Sequence, residues 1–277
     1  MKRGDSRFYP VVVLLTGAGY LSYFLSKLIF VVLVVPLFLV MTPWPVTRQR
    51  FFQSVLTRFL GFFTRIWLPL FRVYQVVEIT GREHLETQRP CILVANHRGF
   101  MDSIFLLGLS PRTGALTKAA HTRQPMYQLL VRYFDLVSVN RDSLASVTAA
   151  AERCRQILAA GKNLLVFPEG TRARSGRLQP FNRLAFDLAV AAQVPIVPVI
   201  IHSTEPFMGK VPNSVFPRRK NYYRIHFLAP ESVNPGENAR VLSDRVHRRM
   251  AVVLGELDAG TPWEIKSLKS HEPHPAA

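Results

Sequence analysis

Two short stretches of the 277-residue chain carry residue types that could do chemistry. Residues 94–102 read VANHRGFMD: an apolar run ends in Asn96-His97, and Asp102 follows five residues past the histidine. On a continuous helix, positions i and i+5 stand about 140° apart, so their side chains would not meet. A contact between His97 and Asp102 therefore needs the chain to turn between them, and Gly99 makes such a turn easy. The stretch then reads as a strand end, a bend and a helix start, with Asp102 near the N-cap. Histidine exchanges protons near neutral pH, and a carboxylate beside it can fix its tautomer. The plainer reading is a loop with a surface histidine and a capping aspartate.

The second stretch is FPEGTR, residues 167–172, directly after the apolar run NLLV. Its loop continues ARSGRLQPFNR, so Arg172, Arg174, Arg177 and Arg183 fall within twelve residues. Pro168, Gly170 and Gly176 shape the turns. A strand that empties into an arginine-rich glycine loop is where an open α/β sheet would hold a phosphate. The planar fork of arginine grips phosphate oxygens in pairs. Most charge runs are only solvated loops, but Glu169 stands at the mouth of this one. It could orient an arginine or accept a bond from a substrate hydroxyl.

These stretches need a scaffold, and from about residue 73 short β-like runs alternate with helical ones. Strands are predicted at 73–80, 91–95, 114–117, 136–139, 163–167, 195–201 and 222–228. Helices fit 102–109, 125–134, 143–160, 182–193 and 238–258. Such alternation implies an α/β fold with a mixed, largely parallel sheet flanked by helices. We assign residues 73–262 to this domain, 1–72 to membrane-associated N-terminal helices, and 263–277 to a disordered tail ending SHEPHPAA.

The front end differs in kind. Residues 11–41 are almost wholly apolar, with Lys27 the one charge. As a helix they would reach about 46 Å, more than the ~30 Å hydrocarbon core requires. One tilted helix kinked at Pro36 fits, or a shallow re-entrant one; two spans do not. In a helix over 47–70, Ser54, Thr57, Arg58, Gly61, Thr64 and Arg65 form one narrow stripe, and the rest is Phe, Leu, Val, Ile and Trp67. That pattern suits a helix lying in a membrane interface; the alternative is a core helix packed under the domain. Residues 1–77 hold nine Lys/Arg and one acid, Asp5. This excess favours an anionic, cytoplasmic membrane face.

Composition narrows the function further. A net charge of +17 seeks polyanions, yet 48% of residues are hydrophobic, and the aromatics concentrate in the front end rather than among the basic loops. Nucleic acid is therefore not the expected partner. Cys91 and Cys154 imply no disulfide framework. His97 and Asp102 lack further ligands at metal spacing, so no metal and no bound cofactor is expected. His202 ends a predicted strand and could border the site, whereas His84 and His121 read as surface residues.

NHRGFMD and FPEGTR, about seventy residues apart, together resemble the 1-acylglycerol-3-phosphate acyltransferase family of glycerolipid acyltransferases. LVSVNR resembles the family's second motif, which implies a phosphate-binding role for Arg141. VPIVPV (194–199) resembles its hydrophobic fourth motif, and Lys118 falls where the family often has a lysine lining the site. The resemblance covers roughly residues 73–230. The chain departs from it at Ala173, at Asn140, and at Phe181-Asn182-Arg183-Leu184, which bear on the acceptor headgroup.

The resemblance implies a membrane enzyme that moves an acyl chain from acyl-CoA or acyl carrier protein to the hydroxyl of a lysophospholipid. His97 would be the general base, oriented by Asp102. Arg172, Arg141, Glu169, Gly170 and Thr171 would hold the acceptor phosphate. Lys118, Asn96 and backbone N–H groups near the bend are candidate contacts for the oxyanion or another anion. The rivals are the same chemistry on another lyso-lipid, and a non-catalytic basic protein that binds membranes or lipids.

Overall fold

The computed structural model describes residues 9–29, 45–71, 75–110, 112–122, 134–173, 177–204 and 221–259, with isolated positions between and after them. The apolar runs form seven strands: β1 (Gln75–Thr80), β2 (Ile92–Ala95), β3 (Thr113–Lys118), β4 (Leu136–Val139), β5 (Asn163–Val166), β6 (Ile196–Ser203) and β7 (Tyr222–Phe227). They build one sheet in the order β1-β7-β6-β2-β5-β3-β4. Only the β6–β7 pairing is antiparallel. So β6, β2, β5, β3 and β4 run one way, and β1 and β7 the other. The mixed, largely parallel sheet expected from the alternation is present.

The helices are α1 (Tyr9–Ile29), α2 (Pro45–Phe62), α3 (Glu83–Thr87), α4 (Asp102–Leu107), α5 (Ala119–Thr122), α6 (Leu144–Ala159), α7 (Leu184–Ala192) and α8 (Ala239–Asp258). A π-helical turn, Phe63–Trp67, and a last turn, Leu68–Leu70, continue α2 without a break. The helix predicted at 125–134, the course of 30–41 with its bend at Pro36, and the tail 263–277 lie largely or wholly outside the described residues.

Successive strand residues point to opposite faces, and each face has its own layer. Leu93 and Ala95 of β2, Leu165 of β5 and Val197, Val199 and Ile201 of β6 pack with Tyr23, Phe63, Leu68 and Phe105 of the N-terminal helices and α4. Their alternates, Ile92, Val94, Leu164, Val166, Ile196 and Ile200, pack with Ile157, Phe186, Val246, Met250 and Leu254 of α6, α7 and α8. Strands buried on both faces read as continuous apolar runs, which is why β2, β5 and β6 were legible in the sequence. Cys91 and Cys154 are fully buried, and burial pushes both thiols up to about 12.

The polar stripe of α2 requires a correction. Thr57, Gly61 and Thr64 face the domain rather than solvent, beside Phe52, Leu56 and Phe63. A Cβ on Gly61 would lie 3.0 Å from the Gly108 carbonyl oxygen, and one on Gly108 would lie 3.0 Å from the Gly61 nitrogen. The small residues are thus a close-packing seam. Gln53 Nε2 anchors the helix by donating to Asp135 Oδ2 at 2.8 Å. Phe51, Arg58, Phe62, Arg65, Ile66 and Leu70 remain on the outer side. On α1, Val11, Leu14, Leu21, Leu25 and Leu28 form an exposed apolar stripe, each at least half exposed. Among the described residues, no helix is long and apolar enough to cross a membrane, so of the two readings of 11–41 the spanning one is not supported.

Candidate active site

Because β2, β3, β4 and β5 are parallel, their carboxyl ends lie along one edge of the sheet, where open α/β sheets bind ligands. The loop with His97 leaves β2, Lys118 ends β3, Arg141 follows β4, and the loop with Glu169 leaves β5. Lys118 and Arg141 leave from neighbouring strand ends, since Lys118 pairs with Val139.

The bend after β2 is closed by hydrogen bonds to one carboxylate oxygen. Asp102 is fully buried as the first residue of α4. Its Oδ2 lies 2.9 Å from His97 Nδ1 and accepts from the Arg98 and Gly99 N–H groups at 2.7 Å each. The histidine side chain is 20% exposed. Its ring stacks on Phe167, with centroids 4.3 Å apart and planes 29° apart. Phe167 opens the FPEGTR stretch, so the two chemical loops meet at this ring. Among the described residues, His97 Nε2 makes no hydrogen bond.

Glu169 is buried and ties the two loops together. Its Oε1 accepts from the His97 N–H at 2.8 Å, and its Oε2 accepts from the Gln179 N–H at 2.9 Å. Burial raises its pKa to about 6, against the lowering effect of those two N–H bonds. In the structure both oxygens accept from backbone N–H groups, so Glu169 braces the two loops against each other. The His97 carbonyl completes the seam by accepting from the Ala173 N–H at 2.6 Å.

Two further expectations change. Asn96 was a candidate anion contact, but it is buried. Its Nδ2 donates to the Ile201 carbonyl at 2.9 Å, and its Oδ1 accepts from the Ile201 N–H at 2.7 Å. It clasps β2 to β6. The bend N–H groups were candidate oxyanion donors, but those of residues 97, 98 and 99 are all taken by carboxylates. Lys118 is exposed at the edge and is the side chain left from that set.

In the loop after β5, Gly170 has φ +66°, and a Cβ there would run into the Arg141 guanidinium. The positive φ is what favours glycine here; the guanidinium it meets is the far end of a flexible side chain. Arg172 is partly buried, Arg177 exposed, and Arg174 lies outside the described residues. Arg183 pairs with Asp187 at 3.4 Å on its own helix. The sequence reading missed Lys210, whose Nζ donates to Thr171 Oγ1 at 2.7 Å, because nothing in its local pattern marks it.

His202, at the end of β6, is 1% exposed and lies 3.5 Å from Asp258 Oδ1. Burial lowers its pKa to about 4, so it is neutral at pH 7. Among the described residues, no group of three His, Cys, Asp or Glu could hold a metal ion.

Residues 76–202 match the family model for Acyltransferase. A chloroplastic 1-acyl-sn-glycerol-3-phosphate acyltransferase of Brassica napus is 29% identical over 203 residues, covering 72% of this chain and 57% of that protein. The alpha form from Homo sapiens is 28% identical over 186 residues, covering 65% of this chain and 64% of that protein. The chain thus spans less than two thirds of the length of these relatives. The solved structure of the 1-acyl-sn-glycerophosphate acyltransferase PlsC from Thermotoga maritima superposes with a TM-score of 0.69 at 21% identity, covering 92% of this chain and 98% of that one.

Proposed function

We propose that this chain, whose residues 76–202 match the Acyltransferase family model, transfers an acyl chain from a thioester, acyl-CoA or acyl carrier protein, to the free hydroxyl of 1-acylglycerol-3-phosphate, giving phosphatidic acid. The observation that carries this reading is the His97–Asp102 contact, 2.9 Å at Nδ1, beneath an edge that also holds Arg141 and Arg172. An alcohol is a weak nucleophile at neutral pH and needs a base of matched pKa. His97 Nε2 takes the hydroxyl proton as the oxygen bonds to the thioester carbonyl carbon. The C–S bond then breaks, and the leaving thiolate takes the proton back from the imidazolium. Asp102 fixes the tautomer and stabilises the imidazolium; no enzyme nucleophile is needed, because the acceptor hydroxyl attacks directly. With the bend N–H groups occupied, Lys118 is our candidate for the oxyanion. Arg172, with Arg141 and Thr171, holds the acceptor phosphate.

Anchoring follows from the front end. The exposed apolar stripe of α1 and the outer side of α2, with Phe62, Ile66 and Leu70 beside Arg58 and Arg65, suit a helix pair lying in one leaflet. The basic excess favours an anionic, cytoplasmic face. The acceptor would then reach the site from the bilayer. A second reading keeps the chemistry and changes the headgroup. Asn182, where the family commonly has lysine, braces the loop through its N–H and Nδ2 to the Pro168 carbonyl, at 2.9 and 2.5 Å.

The test offers labelled acyl-CoA and acyl carrier protein with several lyso-lipids to wild type and to His97→Ala. General base catalysis contributes about 10²–10⁴-fold. Turnover of the variant should fall by at least that order while vesicle binding persists. Near-normal turnover would remove His97 as the base, and preference for a headgroup lyso-lipid would select the second reading.

A further inference from the structure

Arg98, between His97 and Gly99, is 2% exposed and points away from the edge into the domain. There its Nη1 donates to Asp258 Oδ1 at 2.8 Å, and its Nη2 donates to Asp258 Oδ2. Asp258 is buried at the last position of α8, 160 residues along the chain. A carboxylate there is locally unfavourable, because a helix C-terminus is the negative end of its dipole. Taking two charges out of water also costs free energy that a good pair barely repays. Stability alone therefore gives weak reason for the pair. His202 touches the same carboxylate but is neutral, so Arg98 is the cation that answers it.

The placement suggests the reason. The Arg98 N–H is one of the two backbone donors that close the bend on Asp102 Oδ2. The same residue is thus held at both ends, by Asp102 through its backbone and by Asp258 through its fork. A two-pronged contact fixes orientation as well as distance. Asp258 is itself held: Met250 and Leu254 of α8 pack on the sheet, and Thr261 closes the helix end through Oγ1 and N–H to the Asp258 carbonyl, at 2.7 and 2.9 Å.

We propose that Asp258 is a positioning residue of the acyltransferase site: by gripping the Arg98 guanidinium it sets the bend in which His97 and two backbone N–H groups meet one oxygen of Asp102. This rests on the catalytic reading of His97 given above. Asp258 touches no substrate, so the effect travels through Arg98 to the imidazole.

The test needs a readout independent of substrate. The proton between His97 Nδ1 and Asp102 should give a low-field proton resonance in the purified full chain, identified by its loss in His97→Ala. Asp258→Asn should lose or broaden that resonance and lower kcat about tenfold or more, with KM for both substrates changed less than about twofold, an effect of the size that geometric misplacement produces. Asp258→Glu should recover part of both. The double variant Arg98→Met/Asp258→Leu guards against simple misfolding, since an apolar pair can replace a buried ion pair without loss of stability. It should melt near wild type yet keep the disturbed resonance and the low kcat. An unchanged resonance in folded Asp258→Asn, or full recovery of kcat in the double variant, overturns the proposal. If the resonance responds as expected but wild type transfers no acyl chain, the positioning role stands and the functional reading falls.

Discussion

The loops after β2 and β5 meet at the His97 ring and are built in opposite ways. In the first, the N–H groups of residues 97, 98 and 99 are all bonded to carboxylates, and Asp102 and Arg98 are almost wholly buried. In the second, Arg177 and Arg183 are exposed, and two cations reach it from elsewhere: Arg141, after β4, lies close over Gly170, and Lys210, beyond β6, donates to Thr171. The first loop is over-determined, whereas the second gathers long cationic side chains around a glycine turn. A general base must sit within hydrogen-bond reach of one proton, while a phosphate can be gripped from several directions. The difference predicts that small changes at the first loop act on turnover and that changes at the second act on affinity.

The largest effect that breaks this contrast apart is expected at Asp102. Asp102→Asn keeps an oxygen that can accept the Arg98 and Gly99 N–H groups, so the bend should survive. It removes the negative charge that stabilises an imidazolium. We expect kcat to fall by about 10²-fold or more, within the range of general base catalysis, with the melting temperature within a few degrees of wild type. A variant that turns over normally would show that the carboxylate is only a cap for the bend.

Arg172→Ala should sit on the other side of the contrast. A hydrogen bond to a charged group contributes about 1.5–3 kcal/mol, which corresponds to roughly a 10–100-fold rise in the acceptor KM. If the arginine grips ground state and transition state alike, kcat stays near wild type. Steady-state kinetics over the acceptor concentration separates the two parameters. A loss confined to kcat would move Arg172 from binding into the chemistry.

The contrast also explains what the sequence could and could not reveal. His97 and Asp102 are five residues apart, so their contact reduced to one geometric demand that a short stretch could meet. Arg98, Asn96 and Glu169 find their partners 160, 105 and 72 residues away, and no local pattern points that far. The strands were legible because burial on both faces leaves continuous apolar runs. The stripe on α2 misled because small residues at 3–4 spacing mark either a solvent face or a packing seam. Gly61 was the available signal, since a glycine in a helix interior is disfavoured unless another backbone comes close.

The smallest expected effect sharpens the comparison through two buried groups that shift in opposite directions. Glu169 belongs to the seam between the loops and has its pKa raised to about 6. Its contribution to stability is present below the ordinary carboxylate range and is lost as pH rises through about 6. His202 lies behind the first loop and has its pKa lowered to about 4. Between about 4 and 6.5 the unfolded chain takes up a proton that the folded His202 refuses, so its contribution is present above pH 6.5 and is lost as pH falls. From pH 7 to pH 5 the two slopes oppose, and the His202 slope alone is worth on the order of 2 kcal/mol by linkage. His202→Leu removes that slope and leaves the one from Glu169. The variant should therefore lose less melting temperature than wild type on going from pH 7 to pH 5, whatever its stability at pH 7. Parallel curves for the two proteins would mean that His202 is protonated in the folded state, and Arg98 would then share Asp258 with a second cation.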